Sequence, residues 1–189
     1  QLYVESERLL TAARRAAVAE RTAQITARSA ARRQRVADAA RAESSETPIS
    51  GGYVAWCLGQ LLEDDTVLLP DSVTNGQDLK NHVAITQPDT VFRAASAAGG
   101  WGTGAALGVK LARPNSFVVH ASGDGFFLYG VPYASLWAAA RYNAPFLTLV
   151  FQNRAYSTGT SHVARHFPEG YSVKEHDFEG GLIDPPVDL

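Results

Sequence analysis

The stretch from Ser116 to Thr160, SFVVHASGDGFFLYGVPYASLWAAARYNAPFLTLVFQNRAYSTGT, decides the fold. A short apolar run, Phe117 to Ala121, reads as a buried strand that ends in Gly123-Asp124-Gly125. Pro132 to Tyr142 reads as a helix, with Pro132 in the first turn, where its missing N–H costs nothing. Phe146 to Phe151 is a second apolar run and ends in Gln152-Asn153. Strand, turn, helix and strand make a βαβ unit, whose strands are parallel and joined by a right-handed crossover. Both strand C-termini then lie on one edge of the sheet, the edge at which open α/β sheets bind ligands. Asp124 and Asn153 are thereby delivered to the same place.

Their chemistry suits a metal–diphosphate. Asp124 offers a carboxylate, Asn153 a side-chain carbonyl and Ala155 a backbone carbonyl, which together are a protein share of an octahedral Mg²⁺ shell that diphosphate oxygens and water complete. Gly123 and Gly125 let the backbone turn sharply and approach a ligand closely. The N-terminus of the following helix favours negative charge.

Gly123-Asp124-Gly125, residues 126 to 152 and then Asn153 resemble the cofactor signature of thiamine-diphosphate-dependent enzymes, closest to the acetolactate synthase and benzoylformate decarboxylase branch. The resemblance covers residues 48 to 189. It implies an α/β domain, a mostly parallel sheet with helices on both faces, preceded by an N-terminal helical segment over residues 1–47. It also implies thiamine diphosphate and Mg²⁺ as cofactors, with Asp124, Asn153 and Ala155 as metal ligands. The parent activity implied is the making or breaking of a carbon–carbon bond beside the carbonyl of a 2-oxo acid, for which the cofactor is the electron sink.

Further site residues follow from the same likeness. Thr66 to Leu69 reads as a strand that ends in Asp71-Ser72-Val73-Thr74-Asn75. A loop of small polar residues after a parallel strand suits either phosphate or a plain helix cap. The resemblance implies that Val73 and Thr74 contact the diphosphate and that Asn75 assists. Thr90 to Ala95 reads as another short strand, followed by a glycine-rich loop and a small-residue helix that ends near Ala112. In the family this loop holds the aminopyrimidine ring, through a main-chain carbonyl near Ala97 and a bulky apolar side chain that bends the cofactor. Here Gly99 stands at that apolar position, and Trp101, two residues on, is the available bulk. Phe126 stands where the family has Ser, which implies weaker diphosphate binding, and Gln152 where Asn is common. Tyr156, beside Ala155, is expected to contact the cofactor.

The family's activating glutamate lies on a separate pyrimidine-binding domain, usually from a partner subunit, and nothing in these residues resembles that domain. The expectation is a chain inactive alone, working with a second polypeptide or subunit in a homo-oligomeric parent enzyme. The sequence also stops short of the family domain's usual last strand and helices, so a fragment, a truncated product or a binding-only remnant is expected.

Composition sets the remaining bounds. With 189 residues, 46% of them apolar, the chain fits one domain plus an appendage. A net charge of −2 gives no reason to expect nucleic acid. No apolar run reaches membrane-spanning length and the N-terminus lacks a signal-peptide layout, so an intracellular, cytoplasmic protein with no membrane contact is expected. Cys57, the single cysteine, sits in an apolar run and reads as a small buried hydrophobe. Residues 1 to 45 hold nine arginines and neither Gly nor Pro, a strong helix-forming composition. A solvated helix with an alanine face on another domain is favoured there over a basic arm. Glu43 to Ser50 reads as a linker. His120 reads as a satisfied core histidine. His162 and His166, four apart, share a face if helical, with metal binding the weaker reading.

Two rival readings stand. Gly100, Gly102 and Ala105 spell G-x-G-x-x-A, a nicotinamide or flavin dinucleotide fingerprint, with Asp124 ending the next strand as the ribose acid. That reading leaves Asn153 and the Ser72–Asn75 loop unexplained. A non-catalytic assembly module that docks through the N-terminal helix is the third.

Overall fold

A computed structural model describes residues 2–84, 87–94 and 98–189. Three strands, β1 (Val67–Asp71), β2 (Val118–Gly123) and β3 (Leu147–Phe151), form a parallel sheet in the order β1-β2-β3. The register pairs Asp71 with Ser122 and Gly123 with Phe151, so all three C-termini leave the sheet side by side. Those are the apolar runs of the sequence, with β1 and β2 shifted by one to two residues towards Asp71 and Gly123 and β3 starting one residue later.

The period-two alternation of the strands divides the core into two layers. Leu68, Val119 and Ala121 face α3 (Gly51–Leu61) and α4 (Gly76–His82), where Ala55, Leu58 and Leu79 are buried against them. Val67, Leu69 and Val118 face the other way, onto Ala106 of α5 (Gly102–Ala112). Helices therefore cover both faces, which is why β1 and β2 read as unbroken apolar runs rather than as alternating ones. Leu69 and Leu79 are almost wholly enclosed, each worth about 1.5–3 kcal/mol by transfer from water. Ser50 starts α3 by accepting a hydrogen bond from the Tyr53 N–H, 3.0 Å, at the N-cap.

Of the expected strand Thr90 to Ala95, the described residues 90–94 do not make a full strand, and Ala95 lies outside the described residues. Val91 forms a single parallel bridge to Leu68, with the Leu68 N–H donating to the Thr90 carbonyl and the Phe92 N–H to that of Leu68. Arg93 is already exposed, so no second apolar residue follows in register to extend the ladder.

A second difference lies after β2. Gly123-Asp124-Gly125 is not an open turn but the start of a short helix, α6 (Asp124–Tyr129), with Gly123 as N-cap. Only then does α7 (Tyr133–Arg141) begin, behind Pro132. The run FFLY after the second glycine contains no breaker, and Phe127 packs against His120, with ring centroids 6.5 Å apart.

The N-terminal arm forms α1 (Leu2–Leu9) and α2 (Ala12–Ala42). Thr11 caps α2 through the Arg14 N–H. Ala40 is the buried residue of α2, against the α3–α4 layer, while its arginines are exposed and two of them, Arg15 and Arg41, pair with nearby acids. The solvated-helix reading of its charges fits, although little of its alanine face is covered. Cys57 is half-buried rather than buried. Among the described residues no helix is long and apolar enough to cross a membrane.

Candidate cofactor site

The three strand ends open into a cavity of about 400 Å³. Its walls come from the Ser72–Asn75 loop after β1, from Gly123 to Phe126 at the start of α6, and from Asn153 to Gly159 after β3. Ten of the residues expected from sequence meet there: Val73, Thr74 and Asn75; Gly123, Asp124, Gly125 and Phe126; Asn153, Ala155 and Tyr156.

Asp124 organises the site. It is 5% exposed. Its Oδ2 accepts hydrogen bonds from the N–H groups of Asn153, 3.1 Å, and Arg154, 2.6 Å, and its Oδ1 accepts from its neighbour Gly125, 2.8 Å. One carboxylate thus ties the start of α6 to the loop after β3, and Arg154 takes a left-handed φ of 58° to bring its N–H in. Asn153 Oδ1 in turn accepts from the Ala155 N–H, 2.9 Å, and its Nδ2 donates to Ser157 Oγ, 3.0 Å, at the start of α8 (Ser157–His166). The loop is pinned from outside as well. The Tyr156 N–H donates to the Gly181 carbonyl and the Ile183 N–H to that of Arg154, so the Gly180–Ile183 segment backs the loop through an isolated antiparallel bridge.

The donor set fits a hard cation with a diphosphate. A carboxylate oxygen accepts about two bonds, so Asp124 Oδ1 and Asn153 Oδ1, each holding one, keep acceptor capacity. Among the described residues no N–H donates to the Ala155 carbonyl, and none accepts from the N–H groups of Val73 or Thr74. Oxygen ligands on one wall and free N–H donors on the other are what a Mg²⁺–diphosphate needs. Among the described residues no cluster of three or more His, Cys, Asp or Glu forms a metal site. Gly125 is required for a reason the sequence hid: a Cβ there would lie 2.7 Å from the Tyr156 ring, which covers it.

Two expected residues, Trp101 and Gly99, fall elsewhere, and a third, Ala97, lies outside the described residues. Trp101 packs with the core layer of Val67, Leu69 and Val118, not in the cavity, because α5 starts one residue later and turns its indole towards the sheet. Gly99 does not line the cavity either; the Phe126 ring stands over it. Sequence reading took Ser72 only as part of the loop after β1, and missed Phe151 and the first turn of α8, Ser157–Gly159. Their signal was adjacency to Asn75 and Asn153.

The glycine loop that suggested a dinucleotide site is occupied by protein. Asp71, 3% exposed, accepts hydrogen bonds from the N–H groups of Gly100, 3.0 Å, and Gly102, 3.1 Å. Those donors are the ones a pyrophosphate would require, and the carboxylate that holds them repels an anion. Gly102 is glycine because a Cβ would fall 2.2 Å from His120 Nε2. His120 itself is fully buried, and among the described residues neither ring nitrogen has a hydrogen-bond partner, its Nε2 lying 3.8 Å from Asp71 Oδ2. It is a core histidine as expected, but not a satisfied one. His162 and His166 stack on α8 at 6.0 Å between centroids, outside the main cavity.

These features define a class: an α/β domain with an oxygen-rich cradle at the C-terminal edge of a parallel sheet. Comparison with known proteins makes the class specific. Residues 72–189 match the model of the thiamine pyrophosphate enzyme C-terminal TPP-binding domain, and the chain belongs to that family, whose cofactor is thiamine diphosphate. Benzoylformate decarboxylase of Pseudomonas aeruginosa is 30% identical over 92 residues, 49% of this chain and 17% of that protein. The structure of benzoylformate decarboxylase from Polynucleobacter necessarius superposes with a TM-score of 0.62 at 25% identity, over 76% of this chain and 26% of that one. The 4-hydroxybenzoylformate decarboxylase of Rhodococcus jostii RHA1 gives a TM-score of 0.63 at 22% identity, over 74% of this chain and 25% of that one, which shows the shared fold. The chain thus spans about a quarter or less of the length of these relatives.

Proposed function

We propose that the chain binds thiamine diphosphate through Mg²⁺, as the diphosphate-holding part of an enzyme that makes or breaks carbon–carbon bonds of 2-oxo acids. The observation that carries the reading is the Asp124 carboxylate, buried at the meeting point of α6 and the loop after β3 with an oxygen left to accept a cation. Asp124, Asn153 and the Ala155 carbonyl would hold the metal. The N–H groups of Val73 and Thr74, with Asn75 beside them, would hold the diphosphate. Bound there, the cofactor supplies the electron sink for cleavage or formation of the bond beside the carbonyl. The chain's own part is to bind, orient and neutralise charge.

The names of the similar decarboxylases favour aryl 2-oxo acids as the substrate class. Assembly belongs to the proposal: a pyrimidine-binding domain or second subunit supplies the activating glutamate in a homo-oligomeric enzyme, and residues 1–47 join the cofactor domain to the rest. The arrangement disfavours the dinucleotide alternative, because Asp71 holds the glycine-loop donors.

Calorimetric titration of the chain with thiamine diphosphate, with and without Mg²⁺, tests the reading. Binding that requires the metal is the expected result. Metal-independent binding of NAD or FAD, with none of thiamine diphosphate, would replace it with the dinucleotide reading.

A further inference from the structure

Helix α8 leaves the cofactor cavity with a polar stripe along one side. Thr158, Ser161, His162 and Arg165 stand at i, i+3, i+4 and i+7, the spacing that puts residues on one helical face. With Ser157 and with Thr74 of the loop after β1, they line a groove of about 230 Å³. The groove adjoins the cofactor cavity and shares Thr74, Ser157 and Thr158 with it. The stripe is not what holds the helix in place. Thr160, on another face, is the residue turned to Gly181, where a Cβ would lie 2.6 Å from its methyl group. At its start the helix is tied to the cradle by Asn153 Nδ2, which donates to Ser157 Oγ, 3.0 Å.

The chemistry of the groove has one sign. Its lining residues are all polar and none is an acid, and α8 itself carries no Asp or Glu. Arg165 is a permanent cation with a planar fork of N–H donors. His162, its ring stacked on His166, offers a ring N–H in either tautomer. Thr74, Thr158 and Ser161 add hydroxyls. Among the described residues Arg165 makes no ion pair, and neither its guanidinium nor those three hydroxyls has a hydrogen-bond partner. An arginine in the last turn favours the helix dipole wherever it points. Here it also lines a groove of unengaged donors that no carboxylate enters.

We propose that this groove is an oxyanion subsite beside the cofactor cavity, which takes a phosphate or carboxylate group on Arg165 with His162, Ser161 and Thr158 as further donors. It is separate from the metal–diphosphate cradle, because its charge comes from a guanidinium rather than from a bound cation. It does not require thiamine diphosphate to be the occupant of the neighbouring cavity. Its residues are exposed, so water and salt weaken the contact and the dissociation constant is on the order of 1 mM.

The test is an amide NMR titration of the full chain with sodium phosphate at fixed ionic strength and without Mg²⁺, repeated with benzoylformate. The parent chain, Arg165→Gln and Asp124→Asn are compared. Saturable shifts at residues 74, 158 and 161–165 are expected in the parent. Arg165→Gln, an exposed change that keeps the fold, is expected to weaken them by about fivefold or more, and Asp124→Asn to leave them in place. Shifts there with benzoylformate assign the carboxylate of a substrate, and shifts with phosphate alone assign a phosphate-bearing ligand. No saturable shift with either ligand up to about 50 mM, or equal affinity in Arg165→Gln, would overturn the subsite. Loss in Asp124→Asn would overturn it too, by placing the phosphate in the metal–diphosphate cradle. Calorimetric binding of Mg²⁺–thiamine diphosphate by Arg165→Gln is expected within about twofold of the parent, and a larger loss would show that the two sites are one.

Discussion

Asp124→Ala is expected to abolish Mg²⁺-dependent binding of thiamine diphosphate, by at least about 100-fold, and to lower the melting temperature as well. Both effects come from one side chain with two duties. In the proposed function the carboxylate offers Oδ1 to the cation; in the structure it also accepts the N–H groups of Gly125, Asn153 and Arg154. Hydrogen bonds to a charged acceptor are worth about 1.5–3 kcal/mol each, and water reaching the loop recovers part of the loss, so a net cost of about 2–3 kcal/mol is expected. For a chain of this size that is about 5–10 °C. Asp124→Asn separates the duties. It keeps the shape and one oxygen acceptor but removes the charge, so it is expected to lose the metal while recovering much of the melting temperature. Thermal denaturation beside calorimetry of both variants checks this. Retained metal-dependent binding in either would remove Asp124 from the site.

Asp71→Ala is expected to have the largest effect on folding of any single change outside the cofactor cradle. The side chain is enclosed at the end of β1, and its Oδ2 is the acceptor for two backbone N–H groups of the glycine loop. Without it those donors lose their acceptor, beside a histidine whose own nitrogens have no partner among the described residues. A buried unsatisfied donor costs about 1–3 kcal/mol, which places the total at about 3 kcal/mol or more. The loss would also free the loop that holds Phe126. Amide hydrogen exchange at Gly100 and Gly102 reads this directly: protection falls in the variant and persists in the parent chain. Equal protection in both would show that the carboxylate does not hold the loop.

The strands were legible because buried parallel strands are apolar throughout and end where glycine and acid begin, as at Gly123-Asp124. The meeting of the site residues at one cavity was legible for a related reason. Its residues follow strand ends directly, so locating the strands located Asp124, Asn153 and the Val73–Asn75 loop. Helix α4 was not, because GQDLKNH buries little beyond Leu79 and carries almost no apolar period. Helix α6 was hidden by two glycines that read as a turn. Contacts between distant segments were beyond reach: Gly102 on His120, Tyr156 on Gly125 and Phe126 on Gly99 each depend on where two elements cross, not on local pattern. The role of Asp71 was hidden in the same way. It stood at the head of a phosphate loop in the sequence, yet its side chain turns to the other loop.

The most direct measurement is an amide NMR spectrum of the full 20.3 kDa chain titrated with thiamine diphosphate and Mg²⁺. The account predicts shifts concentrated in residues 73–75, 123–126 and 153–156, present only with the metal, and little change at Gly100 and Gly102, whose N–H groups already belong to Asp71. Shifts confined to the glycine loop, or the same shifts without Mg²⁺, would contradict it.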